Sequence, residues 1–191
     1  MFFHRVRQIY WFLCFLITKP FYKNVGRWSY LAKPLSIIGY RNIIIGNRTR
    51  VMPGIRIEAH GEHCEVLVGD NVSIGPSCSI ISGAGYHVEI CDDVTISGNV
   101  FVCSYEHQYQ EIGVHIMDQQ CSGSSTHIGG GCFIGYGSVL LAGTKLGKQC
   151  VVGANSVVRG EFPDYCVIAG SPAKIIKKYS FETSEWENFN E

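Results

Sequence analysis

Over one long stretch every sixth residue is aliphatic: Ile128, Ile134, Leu140, Leu146, Val152 and Val158. Three shorter runs keep the same step: Ile45, Val51 and Ile57; Val68, Ile74 and Ile80; Ile90, Ile96 and Val102. Four residues after most of these aliphatics the side chain is small or β-branched; Glu106 after Val102 and Phe162 after Val158 are the exceptions. The long run has Cys132, Ser138, Thr144, Cys150 and Ser156 in this slot, and upstream it holds Val72, Cys78, Val94 and Val100. The position directly after the aliphatic is often glycine, as at Gly46, Gly69, Gly75, Gly129, Gly135, Gly147 and Gly153. Glycine suits such a place through positive φ or through close backbone approach. A helix repeats its buried face every 3.6 residues and a strand every two, so neither alone repeats at six. Short strands joined by tight corners do, when each side of a three-sided coil advances six residues. The aliphatic and the small residue then both point inward, and each coil buries its apolar face against its neighbours. The spacing predicts an all-β fold, a parallel β-helix of triangular section, over residues 37–170; it does not set the handedness. Cys78, Cys132 and Cys150 fall in the inward slot and read as small buried fillers.

The two ends differ from this middle. Ile9 to Ile17 is an unbroken apolar run flanked by Arg5, Arg7 and Lys19, which predicts a helical segment within residues 1–36. The run is too short to cross a bilayer, which takes about 20 residues. Lys19-Pro20-Phe21-Tyr22 stands where a signal peptide would carry its small-residue cleavage site. The expectation is that this helix packs on the fold or on a neighbouring subunit. The alternative is peripheral membrane contact through residues 1–18, with aromatics at the lipid boundary and basic side chains on phosphates. At the other end, Lys174, Lys177 and Lys178 follow Pro172. They are expected on a short C-terminal helix within residues 171–191, as a solvated face or as a phosphate contact.

Between Val102 and Ile128 the six-step pattern lapses, giving an inserted loop over 103–127. Long insertions in compact repeats usually carry function. His107 is the leading candidate for chemistry, because an imidazole titrates near neutrality and serves as a general base. Glu106 beside it is a candidate to orient the ring, or a solvated loop charge. His115 and His127 are the nearby alternatives, and His87 reads as a plain surface residue. A rival chemistry is a three-histidine zinc site from His107, His115 and His127, although no close pair of histidines supports it. His60, His63 and Cys64 read as a surface turn. No metal is expected.

The chain has 191 residues, which suits one domain. A hydrophobic content of 46% with 17% charged residues rules out a disordered chain. Lys plus Arg and Asp plus Glu both number 16, so there is no basic excess to suggest a nucleic-acid partner. The nine cysteines are odd in number and contain no C-x-x-C pair. That argues against a disulfide framework and the usual zinc spacings, and for a reducing cytoplasm.

These residues resemble the hexapeptide-repeat acyltransferases, in the branch of the maltose, galactoside and surface-polysaccharide O-acetyltransferases. The likeness covers roughly Ile45 to Tyr179. It is most specific in IGGGCFIGYGSVLLAGTKLGKQCVVGANSVV, in IAGSPAKIIKK and in VFVCSYEHQY. The resemblance implies a left-handed β-helix, a homotrimer, and acetyl-CoA as acyl donor bound between subunits. His107 matches the family's catalytic histidine and would take the proton from an acceptor hydroxyl. Pantetheine would run past Tyr136, Ala142, Gly143 and Ala154. Ala154 matches the family's cofactor-contacting alanine, whereas Tyr136 stands where relatives carry a small residue. Lys174 and Lys177 would meet the nucleotide phosphates. Arg159-Gly160 stands where relatives have Thr-Lys, so Arg159 would replace the missing lysine charge. The implied activity is O-acetylation of a sugar in bacterial surface-polysaccharide synthesis. It would take place in the cytoplasm, or at the inner face of the cytoplasmic membrane, as the apolar N-terminus would suit. The alternatives are N-acetylation of an amino-sugar nucleotide and a zinc lyase of the carbonic-anhydrase type on the same fold.

Overall fold

The computed structural model describes residues 2–189. The aliphatic residues of the repeat lie on strands of two to five residues, stacked into three sheets that are the faces of the coil. On the first face Val25 stands on Ile45, then Val68, Ile90, Ile128 and Leu146 in register. The second face stacks Leu31, Val51, Ile74, Ile96, Ile134, Val152 and Ile168. The third stacks Ile37, Ile57, Ile80, Val102, Leu140 and Val158. These columns form one continuous hydrophobic core.

The inward small slot does more than fill space. Its hydroxyls and thiols donate to carbonyls of the following coil: Ser138 Oγ to Gly153 O at 2.9 Å, Thr144 Oγ1 to Val158 O at 2.9 Å, and Cys132 Sγ to Gly147 O at 3.1 Å. A residue there must be small and must satisfy an inward carbonyl, which explains why Cys, Ser and Thr alternate in it. Burial pushes the Cys78 thiol up from its ordinary range, as expected of an inert filler.

The repeat glycines serve close approach, not positive φ. A Cβ on Gly135 would stand 2.5 Å from Ala154 N and 2.6 Å from Val152 O of the next coil. Left-handed corner positions fall instead to residues such as Asn71, Asp93 and Asn155, whose short polar side chains tolerate that conformation.

The β-helix begins earlier than residue 37. Helix α1 spans Phe2–Thr18, and the first coil starts at the strand Asn24–Val25. Residues 24–36 are therefore coil and not part of a helical segment, because Val25, Leu31 and Ile37 continue the six-residue step and pair with the second coil. Trp11 and Phe15 of α1 join the core at this end. Their rings meet Tyr30 (6.2 Å between centroids) and Tyr22 (5.5 Å), so α1 packs on the fold and caps the first coil.

The C-terminal segment is a correction of kind. No helix forms there among the described residues. Ala173–Ser180 runs antiparallel to Cys166–Gly170, and Glu185–Asn188 pairs with it in turn. Cys166–Gly170 would otherwise leave an edge of unpaired N–H and C=O groups. Ile175, Ile176 and Tyr179 suit a pleated strand. The lysines stay at its outer side, with Lys174 opposite Ala169 and Lys177 opposite Val167.

Candidate active site

All the longer departures from the coil occur at one corner, between the third face and the first. They follow the strands Arg56–His60, Ser79–Gly83 and Phe101–Cys103, so the insertions stack along one edge. The largest is partly ordered into an antiparallel hairpin, with Tyr105–His107 paired to Cys121–Gly123 and His107 opposite Cys121. Ser104 ties this hairpin to the preceding coil: its N–H donates to Ile81 O at 3.1 Å, and its Oγ accepts from Gly83 N at 3.2 Å. Tyr105 lies over Gly83, where a Cβ would stand 2.5 Å from the ring. Any larger residue at Gly83 would push the hairpin away.

His107 is exposed on this hairpin. Its Nδ1 lies 3.5 Å from Cys121 Sγ, and among the described residues no protein group bonds Nε2. A cavity of about 180 Å³ lies beside it, lined by Ile81, Phe101, Cys103, Tyr105, Glu106 and His107. Burial pushes both the Tyr105 hydroxyl and the Cys103 thiol up, the latter helped by the Glu106 charge. Both therefore stay neutral at physiological pH.

Glu106 does not orient the imidazole. Both its carboxylate oxygens accept from Arg159 Nη2, at 2.8 and 2.6 Å. An exposed guanidinium two coils on outcompetes a neighbouring ring edge for the carboxylate, because the contact is charge-assisted at both ends. Arg159 is thus paired with Glu106 across the two coils. The residue that touches the ring is Cys121. Its position in the insertion carried no signal, because the hairpin has no turn dipeptide that would announce its register.

The other expected cofactor residues divide between two corners and the terminal hairpin. Ala142 and Gly143 share the corner of His107; Gly143 N donates to Ser124 O at 3.0 Å. Tyr136 and Ala154 lie on the corner between the second and third faces, where Asn155 N donates to Tyr136 O at 2.8 Å. The Tyr136 hydroxyl is hydrogen-bonded to Asn99. Lys174 and Lys177 are exposed on the terminal strand beyond that second corner.

The three histidines of the zinc alternative are not brought together. Among the described residues the grouping with metal-ligand chemistry is Glu89, Cys91 and His127, on the outside of the first face. His127 Nδ1 is bonded there to Glu89 Oε2 at 2.8 Å. His115 instead caps a short turn, accepting from Met117 N at 3.2 Å. The turn at His60, His63 and Cys64 is only partly a surface feature. Cys64 is buried, with Gly85 N 3.2 Å from its sulfur, and His60 is bonded to Glu58 at 2.9 Å.

The family model for bacterial transferase hexapeptide (six repeats) matches residues 125–160, and that for the hexapeptide repeat of succinyl-transferase matches residues 65–104. WbbJ of Escherichia coli K12, named "putative lipopolysaccharide biosynthesis O-acetyl transferase", is 35% identical over 179 residues, covering 90% of this chain and 88% of that one. Among solved structures, AntD, an N-acyltransferase from Bacillus cereus in complex with dTDP and coenzyme A, superposes with a TM-score of 0.73. The match is 20% identical and covers 87% of this chain and 89% of that one. A maltose O-acetyltransferase from Clostridium difficile superposes with a TM-score of 0.57 at 24% identity, over 85% of this chain and 72% of that one.

Proposed function

The chain belongs to the hexapeptide-repeat acyltransferases, and we propose that it transfers the acetyl group of acetyl-CoA to a hydroxyl of a surface-glycan sugar. The observation that carries this reading is the exposed His107, whose Nε2 is unpartnered beside a cavity at the insertion corner. A sugar hydroxyl is a poor nucleophile until a base takes its proton. In the tautomer that carries its proton on Nδ1, toward Cys121 Sγ, Nε2 keeps its lone pair and can accept the hydroxyl proton. The alkoxide oxygen attacks the thioester carbonyl, and collapse of the tetrahedral adduct expels the CoA thiolate, which takes the proton back from the imidazolium. The likeness to WbbJ over nine-tenths of the chain supports a glycan acceptor.

Acetyl-CoA would lie in the groove between adjacent subunits, with Ala142 and Gly143 on the corner of one copy and Ala154 on the other corner of its neighbour beside pantetheine, and Lys174 and Lys177 near the phosphates. Tyr136 would flank the same track, and Arg159 would shape the site through Glu106. A trimer is the proposed assembly. Phe101, Val139 and Val157 form an outward, part-exposed apolar column on the third face, a surface that a second copy would cover. The proposed location is the cytoplasm, where acetyl-CoA is made, with the α1 end in peripheral contact with the membrane.

A mass-spectrometric screen of glycan acceptors incubated with acetyl-CoA tests the reading. An added acetyl group that alkali removes identifies an ester and supports it. An alkali-stable acetyl on an amino sugar would replace it with N-acetylation. Folded protein that consumes acetyl-CoA with neither acceptor class would overturn it.

A further inference from the structure

The capping end of the coil breaks the rule for solenoid ends, which keep a polar outer face to stay soluble. Trp11 and Phe15 bury one side of α1, yet its other side is also apolar. Ile9, Leu13, Leu16 and Ile17 are 60%, 56%, 43% and 75% exposed. Their spacing of four, three and one places them on one stripe. Phe21 and Trp28 add to it at 59% and 76%. No described helix is long and apolar enough to cross a membrane; a helix with a wide exposed apolar stripe lies in an interface instead.

Charge separates along the same axis. The formal net charge is zero, but no Asp or Glu occurs before Glu58, while ten of the 16 Lys and Arg do. All 16 acidic residues follow. Two of the early cations are paired, Lys23 with Glu65 and Arg56 with Glu58. Arg27, Lys33, Arg41 and Arg48 are exposed and have no carboxylate partner among the described residues.

We infer that the end of the coil formed by α1 and the first coils is a docking surface for a bilayer rich in anionic phospholipid. The inference rests on the proposed acetyl transfer only for what it implies about the acceptor. The apolar stripe enters the headgroup boundary, and the unpaired cations Arg27, Lys33 and Arg41 of the collar meet lipid phosphates. A second copy placed end to end through α1 would bring two cationic collars together, which the charge distribution opposes. A trimer with parallel axes would instead present three such ends to one plane and bind more tightly than one. His107 follows the fourth strand of the third face. Three strand spacings place it ~14 Å along the axis from the first coil. An acceptor glycan held to the same leaflet by a lipid phosphate would reach the imidazole, so the substrate class implied is a lipid-linked glycan.

Flotation of the full chain with vesicles tests the surface without acetyl-CoA or acceptor, so its outcome is independent of the proposed reaction. The chain should float with phosphatidylcholine–phosphatidylglycerol vesicles, much less with phosphatidylcholine alone, and less as salt rises. Arg27→Gln with Lys33→Gln should lower partitioning about 25-fold, at about fivefold for each basic residue. Leu13→Gln with Ile17→Gln should lower it at least as much, with unchanged circular dichroism because both side chains face outward. Absence of flotation, equal flotation on both vesicle types, or indifference to the Arg27 and Lys33 changes would each overturn the inference. So would a wild-type chain that does not float but self-associates through Leu13 and Ile17.

Discussion

Adjacent residues of one strand provide a direct test of side-chain direction in the coil. Val151 and Val152 form a two-residue strand in the middle of the second face, flanked by Phe133–Ile134 and Cys166–Gly170. Val152 is fully buried in the column between Ile134 and Ile168, whereas Val151 points outward and is half-buried. Valine to alanine is the same chemical deletion at both. At Val152 the lost transfer free energy is about 1.6 kcal/mol, from about 0.8 kcal/mol per buried methylene-sized group. The cavity term, about 24 cal/mol per Å³ of space left unfilled, raises this to about 2–3 kcal/mol. Neighbouring coils hold that space open, because Ile134 and Ile168 are anchored by their own backbone ladders. At Val151 less area is removed and no enclosed cavity forms, so the cost should stay below about 1 kcal/mol. Urea unfolding, followed by circular dichroism, measures both as shifts in midpoint at unchanged slope. Equal losses at the two positions, or a larger loss at Val151, would refute the inward assignment and with it the six-residue coil.

Other outcomes follow from particular contacts. Gly135→Ala should destabilise by about 1–3 kcal/mol, because its Cβ would enter the backbone of the next coil; unfolding midpoints check this. Glu58 is buried and held ionised, its carboxyl lowered to about 2, chiefly by the Arg56 guanidinium and also by His60 and Ser36. Its folded-state value lies below its ordinary 4.5, so the stabilisation is fully present above that pH and is lost as pH falls toward 2. The loss should reach about 3 kcal/mol, and Glu58→Gln should flatten the acid limb of the stability–pH curve. Lys174→Ala with Lys177→Ala should raise the Michaelis constant for acetyl-CoA more than it lowers kcat, as steady-state kinetics would show.

What the sequence revealed and what it concealed have physical reasons. The columns from Ile45 to Val158 were readable because a stacked coil forces one inward aliphatic per side, and six-residue sides leave a strict period. The first coil obeys the same period at Val25, Leu31 and Ile37. The aromatic stretch before it masks that period, because it reads as a continuation of the helical segment. The spacing of the C-terminal lysines suits a helix as well as a strand. What decides their state is the open edge of Cys166–Gly170, a property of the assembled sheet and not of the segment. At the site, His107 was identifiable as the imidazole in the break of the repeat. Its contact with Cys121 and the capture of Glu106 by Arg159 were not, since both depend on how the insertion folds back across coils.

The central claim is that the His107 imidazole takes the acceptor's proton, and kcat of His107→Ala measures it most directly. With acetyl-CoA and an accepted glycan, turnover should fall roughly 10²–10⁴-fold, while the unfolding midpoint stays at the wild-type value because the ring is exposed. A variant that turns over at near the wild-type rate would contradict the account.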